Sequence, residues 1–326
     1  MAYTFNYTTI GTGMDKDYID QMKETLMAHM LFEGRTAEFA KVIPGVKNRI
    51  SLNLLANTAV PTDATCGWTP APSNQYVTLD QKELKVNPLE VKDALCPKDF
   101  EQLYLGMYMK GNKEVPFAQL IADSYVNVVM NANEKYIWDG NGTFTGLLTD
   151  INGDASVIDA STDVTTATTA MQAVEIMLKN ATPDILSHNN KVLYCGYAFY
   201  NKYASELRAA NWYIQANGEY KNGTLANYEM IIPGTDVKLV AMAGMDNLVN
   251  TTLIGGYNIG TISTPIYTPL VLTYTDNIVI GTDMMNDEEM FDMWYSRDND
   301  EVRVNIQYKL GWSFYFGDHI VKGYKC

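Results

Sequence analysis

Only three histidines and four cysteines occur in 326 residues, and this scarcity narrows the chemistry at once. Cys66, Cys96, Cys195 and Cys326 are far apart, with no Cys-x-x-Cys pair and no zinc-site spacing, so reduced thiols are expected. His29, His188 and His319 would meet a nucleophile only through long-range folding, and His29 lies in a helical pattern where a structural role is expected. The Gly-x-x-x-x-Gly-Lys-Ser/Thr phosphate cradle and the Gly-x-Ser-x-Gly elbow are both missing. Gly11-Thr12-Gly13 has no strand before it and no third glycine, which argues against a dinucleotide fingerprint. No apolar run reaches the roughly 18 residues of a membrane helix, and MAYTFNYTTIGTGMDKDY shows no basic segment followed by an apolar one. A protein that stays where it is made, off the membrane, is expected. Basic residues are also short, 24 against 38 acidic, and the net charge of -14 opposes a nonspecific grip on nucleic acid.

Hydrophobic residues make up 47% of the chain, enough for cores in two domains of roughly 150 residues each. Ile19, Met22, Leu26 and Met30 recur on one helical face behind a polar, Thr/Gly-rich arm over residues 1–13. Ile50, Leu52 and Leu54, then Val77 and Leu79, alternate with polar residues and predict the two strands of a hairpin. Between them, VPTDATCGWTPAPSN (residues 60–74) carries Pro61, Gly67, Pro70 and Pro72, which prevent regular pairing at the tip. Arms of about 12 residues at about 3.4 Å each would reach about 40 Å, further than a domain needs for its own core, so the hairpin is expected to lie on a neighbouring chain. Trp68 at that tip is the candidate intersubunit anchor, against local packing on Pro70 and Pro72.

The strongest helix signal runs from Pro116 to Gly140, with Phe117, Ile121, Tyr125, Val128, Ala132 and Tyr136 as its apolar stripe and about 22 residues in length. Further helices are expected over about 167–180 and 197–209, the second after an apolar strand at Val192 to Tyr194. Two more strands flank the turn Pro233-Gly234-Thr235-Asp236. Near the end, Val302, Val304, Ile306, Tyr308 and Leu310 alternate with polar residues, Gly311 breaks the run, and Trp312, Phe314 and Phe316 resume it, which predicts one long strand with a buried face and a wet face. Asp283, Asp287, Glu288, Glu289 and Asp292 lack calcium-loop spacing and are read as a solvated acidic loop. Neither metal nor cofactor is expected. The Asn-x-Thr triplets at Asn6, Asn141, Asn180, Asn222 and Asn250 are read as chance in an Asn- and Thr-rich chain.

The order of arm, helix, long hairpin, long helix, mixed region and final strand resembles major capsid proteins of tailed bacteriophages with the Hong Kong 97-like fold. The local marks are KVIPGVKNRISLNLLANTA, YIWDGNGTFTGLL and VRVNIQYKLGWSFYF followed by HIV. The flavour is similar to capsid proteins of crAss-like gut phages. The resemblance implies an α+β chain: N-terminal arm 1–48, extended β-hairpin loop 49–88, peripheral domain 89–155 and 283–326 with a long spine helix, and axial domain 156–282. It implies a structural subunit and no enzyme, self-assembling into hexamers and pentamers of an icosahedral shell around phage double-stranded DNA that it does not read. Portal, scaffold and auxiliary or decoration proteins would be partners, the virion the location, and the host bacterial cytoplasm the place of assembly. Lys82 and Lys85 are candidates for isopeptide bonds to Asn, as in some relatives. Rival readings are an encapsulin-like nanocompartment shell, a tail or adhesin subunit, and an acidic hydrolase built on a carboxylate pair.

Overall fold

The structure, a computed structural model, describes residues 26–27, 30–31, 34–57, 77–96, 117–210, 228–246, 248, 257–258, 267–283, 291–299 and 301–324. The arm over residues 1–13 and its Ile19 and Met22 lie outside them, while Leu26, Met27, Met30 and Leu31 are buried. A short turn α1 (Arg35–Glu38) leads to β1 (Lys41–Pro44) and the hairpin β2 (Arg49–Asn57) and β3 (Val77–Lys85), then β4 (Asn87–Leu95). The long helix α2 (Phe117–Asp139) follows, then α3 (Leu147–Gly153), β5 (Ile158–Asp159), α4 (Ser161–Thr166), α5 (Ala170–Lys179) and α6 (Pro183–Ser187). Next come β6 (Lys191–Cys195), α7 (Tyr197–Ala209), β7 (Glu229–Ile231), β8 (Lys238–Ala241), β9 (Tyr257–Asn258), β10 (Tyr267–Thr268) and β11 (Val271–Tyr274). β12 (Ile278–Asp283), β13 (Phe291–Ser296), β14 (Glu301–Phe314) and β15 (Val321–Lys322) close the chain. The chain is mixed α+β.

α2 stops where expected. Gly140 and Gly142 both take positive φ, +84° and +85°, a region that costs any residue with a Cβ. Its buried face differs from the predicted stripe: Ile121, Ala122, Val129, Ile137 and Trp138 are buried, whereas Val128 is 62% exposed. The face also carries Asn133 and Glu134, both buried, and a pattern search for apolar residues passes over such positions.

Two sheets organise the rest. In the first, β14 is central: β4 runs along one side, and β13 and then β12 along the other, with β1 parallel to β12 beyond. Val302, Val304, Ile306, Tyr308 and Leu310 all point to the core, as their alternation predicts. The strand is long, as expected, and continues through Gly311 to Phe314. The second sheet has the order β5-β15-β11-β6-β8-β7. Both of its faces are covered. Val192, Tyr194 and Val240 join the core that includes α2, while Leu193, Cys195 and Leu239 join Val174, Met177 and Phe199 of α5 and α7. That explains the near-continuous apolar runs of β6 and β8. The expected boundary near residue 282 falls at the end of β12, which belongs to the first sheet, and β15 belongs to the second.

Candidate assembly surface

The hairpin pairs with neither of the two larger sheets. β2 and β3 pair antiparallel from Arg49↔Lys85 to Asn57↔Val77, a two-stranded sheet by themselves. Two strands alone are marginal in water, so the stem must be held. Leu52, Leu84 and Val86 do this by burying against Val46 and Val279. Gly281 and Gly311 sit opposite each other across β12 and β14. A Cβ on Gly281 would lie 2.9 Å from Leu84 Cδ2, and one on Gly311 would strike the Lys85 carbonyl. The pair forms a saddle on which the stem lies, and this is why a glycine interrupts an otherwise regular alternation. Gly311→Val is therefore expected to lift the stem and destabilise the dispersed subunit by about 1–3 kcal/mol, read by thermal melting. An unchanged melt would show that the saddle is not a close contact.

Lys82 staples the stem from the side. Its Nζ lies 2.7 Å from Asp154 Oδ2 and 3.7 Å from the centre of the Phe314 ring. Burial pushes the Asp154 carboxyl up, but hydrogen bonds from Lys82 and Ser156 and the Lys82 charge outweigh it and hold the carboxyl below its usual range. The staple's contribution is thus present above the ordinary aspartate range and fades as pH falls through the lowered value. Its ammonium is engaged within the subunit, while Lys85 is exposed.

Further out the hairpin changes character. On its solvent face the stem is polar, with Gln81 Nε2 donating to Asn53 Oδ1 at 3.0 Å and Arg49 3.5 Å from Glu83. One register step beyond Asn53↔Gln81 on the same face, Leu55 and Leu79 stand directly opposite each other, 62% and 79% exposed. Val77, a further step out, is also exposed. Scattered single leucines on a surface are ordinary, but a directly opposed pair on an extended arm is an apolar contact surface that no described residue covers. The expected tip residues, Pro61, Trp68, Pro70 and Pro72, lie outside the described residues.

The remaining candidates disperse. Cys96 is exposed and Cys195 buried, and among the described residues no group of three His, Cys, Asp or Glu side chains is placed to hold a metal ion. Asp283 is not part of a solvated loop as expected: it is fully buried, 3.0 Å from Lys309 Nζ, because β12 carries it into the first sheet. Asp292 is exposed, and Asp287, Glu288 and Glu289 lie outside the described residues. His188 and His319, far apart in sequence, meet around Tyr274, the first stacked on its ring at 4.0 Å and the second 3.1 Å from its hydroxyl. No local signal announces that meeting. Among the described residues no helix is long and apolar enough to cross a membrane.

No protein-family model and no curated protein matches the sequence. Solved structures do match. A capsid chain of an empty GTA particle aligns with a TM-score of 0.55 at 11% identity, covering 90% of each chain. A chain of the satellite phage P4 procapsid with its size-determination (Sid) protein gives 0.55 at 11%, covering 92% of this chain and 90% of that one. The protein has the fold of a phage capsid subunit. A virus-like particle from Pyrococcus furiosus gives 0.50 at 9%, covering 94% of this chain and 99% of that one. At these identities the likeness is one of fold, and it extends over nearly the whole chain.

Proposed function

We propose that the chain is a major capsid protein that self-assembles into hexamers and pentamers of an icosahedral shell enclosing phage double-stranded DNA. The observation that carries this reading is the Leu55–Leu79 pair, held out by a stapled stem and left exposed by the described residues, on a chain with a capsid-subunit fold. An apolar arm repeated on identical copies favours closed, symmetric association, in which each arm finds the same site on the next copy. The tip with Pro61, Trp68, Pro70 and Pro72 is proposed to continue that contact. A net charge of -14 suits a lining that must not bind packaged phosphates tightly.

In this reading the arm is 1–48, the extended loop 49–88, the peripheral domain 89–155 and 283–326, and the axial domain 156–282, with α2 as the spine helix. Portal, scaffold and decoration proteins would be its partners, a crAss-like phage its source, the bacterial cytoplasm its site of assembly, and it would turn over no substrate. A nanocompartment shell is the second reading, since the fold is shared with a virus-like particle that matches over almost its whole chain.

The test is expression of the full chain, followed by light scattering and electron microscopy. Rings of five or six, or closed shells, are expected. A monomer at every concentration and salt would overturn the proposal. Nuclease-protected DNA in particles recovered from infected cells separates the phage shell from the nanocompartment.

A further inference from the structure

Residues 34–40 form a joint between the N-terminal segment, α2 and both sheets. Gly34 presses on the helix so closely that a Cβ would lie 2.6 Å from Glu134 Oε1. Thr36 donates to Glu134 twice, from its N–H at 2.9 Å and from its hydroxyl at 2.6 Å, while the Trp138 indole donates to the same hydroxyl oxygen at 2.9 Å. The Phe39 carbonyl then accepts from the Tyr194 hydroxyl on β6 at 2.6 Å, and β1 goes on to pair with β12.

The ion at the centre of this joint is poorly matched. Glu134 is only 5% exposed, and among the described residues its side chain is bonded to Thr36 alone. Arg35 does not complete it: Nη2 lies 3.6 Å from Glu229 Oε1, and Nε and Nη2 are both buried without a hydrogen-bond partner. A buried carboxylate so served is costly. A protonated Glu134 fits better. Its carbonyl oxygen accepts the Thr36 N–H, its own O–H donates to the Thr36 hydroxyl, and the Thr36 hydrogen turns to Met242 Sδ, 3.8 Å away. Every donor on Thr36, Glu134 and the Trp138 indole then has an acceptor.

Other charged groups stand on each element packed here. α2 carries Lys135 and Asp139, the turn Arg35 and Glu38, and β7 Glu229. Tyr194 and Cys195 on β6, Lys238 on β8, Asp246 beyond it and Asp276 at the groove stand there too. Burial pushes the Glu134 carboxyl up, against the pull of the Thr36 hydrogen bonds and the Arg35 charge. On its far side the turn borders a groove of about 340 Å³, lined by Glu38, Phe39, Ala40, Lys238 and Asp276 among others, which leaves it room to move.

We propose that residues 34–40 are a proton-operated latch, closed on α2 while Glu134 carries a proton and loosened toward the groove when it ionises. The sign follows from the raised carboxyl: the latch is at full strength below the ordinary glutamate range and is lost as pH rises through the raised value. It is a property of the single subunit and does not depend on the shell reading.

The experiment is hydrogen exchange of residues 34–40 in the dispersed full-length chain between about pH 5 and pH 8, corrected for intrinsic exchange rates. In the native chain the opening equilibrium should rise by up to about tenfold per pH unit until the raised value is passed, then level off. Glu134→Gln, whose amide reproduces the protonated pattern, should stay closed across the range. Thr36→Val should open more at every pH while keeping the slope, which separates lost hydrogen bonding from titration. A native chain with no slope, or a Glu134→Gln chain with the native slope, overturns the latch.

Discussion

Leu55→Thr combined with Leu79→Asp is expected to yield a folded subunit that no longer forms shells. The two side chains contribute nothing to the subunit's core, being 62% and 79% exposed, so their replacement should change its stability by no more than about 0.5 kcal/mol. Threonine keeps β-propensity at position 55, and a single aspartate avoids setting two like charges across the ladder. In an assembly the same two leucines would each be worth about 1.5–3 kcal/mol once buried against a neighbour. That loss recurs at every copy of the contact, and a closed shell amplifies it. Circular dichroism and thermal melting should match the native subunit, and sedimentation should show no fast particle fraction. Shells at native yield would remove the hairpin from the assembly contacts. A collapsed melt would instead make the distal hairpin part of the subunit's own fold.

Much of this architecture was legible because its signals are local. α7 begins and ends at Tyr197 and Ala209 as its periodicity predicts, and α2 stops at the glycines that the sequence offers for the purpose. The alternation from Val302 to Leu310 marked a half-wet strand, and the hairpin strands were visible for the same reason. What was hidden depends on partners distant in sequence. Gly311 read as a gap in the alternation, since nothing nearby shows that another backbone crosses the strand there. Glu134 carries no local signal of burial, because charge on a helix ordinarily means solvent, and its partner Thr36 lies 98 residues away. Asp283 misled in the same way, through Lys309 across the ladder. In the hairpin, Leu79 was recognised as part of an alternating strand, yet alternation says only that two faces differ. Which face is covered depends on where the stem lands, and Leu52 and Leu84 on the saddle decide that.

Trp138→Ala is expected to have the largest effect on the subunit itself. The indole is fully buried, its ring centre 5.3 Å from that of Tyr194, with its N–H bonded to the Thr36 hydroxyl at 2.9 Å. Gly244 is held against it so closely that a Cβ there would lie 2.7 Å from Trp138 Cδ1. Truncation therefore opens a cavity where α2, the second sheet and the 34–40 turn meet. The loss should be about 3–5 kcal/mol, a large share of the roughly 5–15 kcal/mol that holds a domain folded. Urea unfolding of the dispersed subunit reads it as a lowered midpoint. Trp138→Phe keeps most of the ring volume and removes the donor, so it should recover most of that loss and retain a deficit of about 1 kcal/mol for the missing hydrogen bond. The two variants divide packing from bonding at one position. If alanine cost no more than phenylalanine, the indole's volume would be idle, and the joint between helix and sheet would have to be held by the Thr36–Glu134 contact alone.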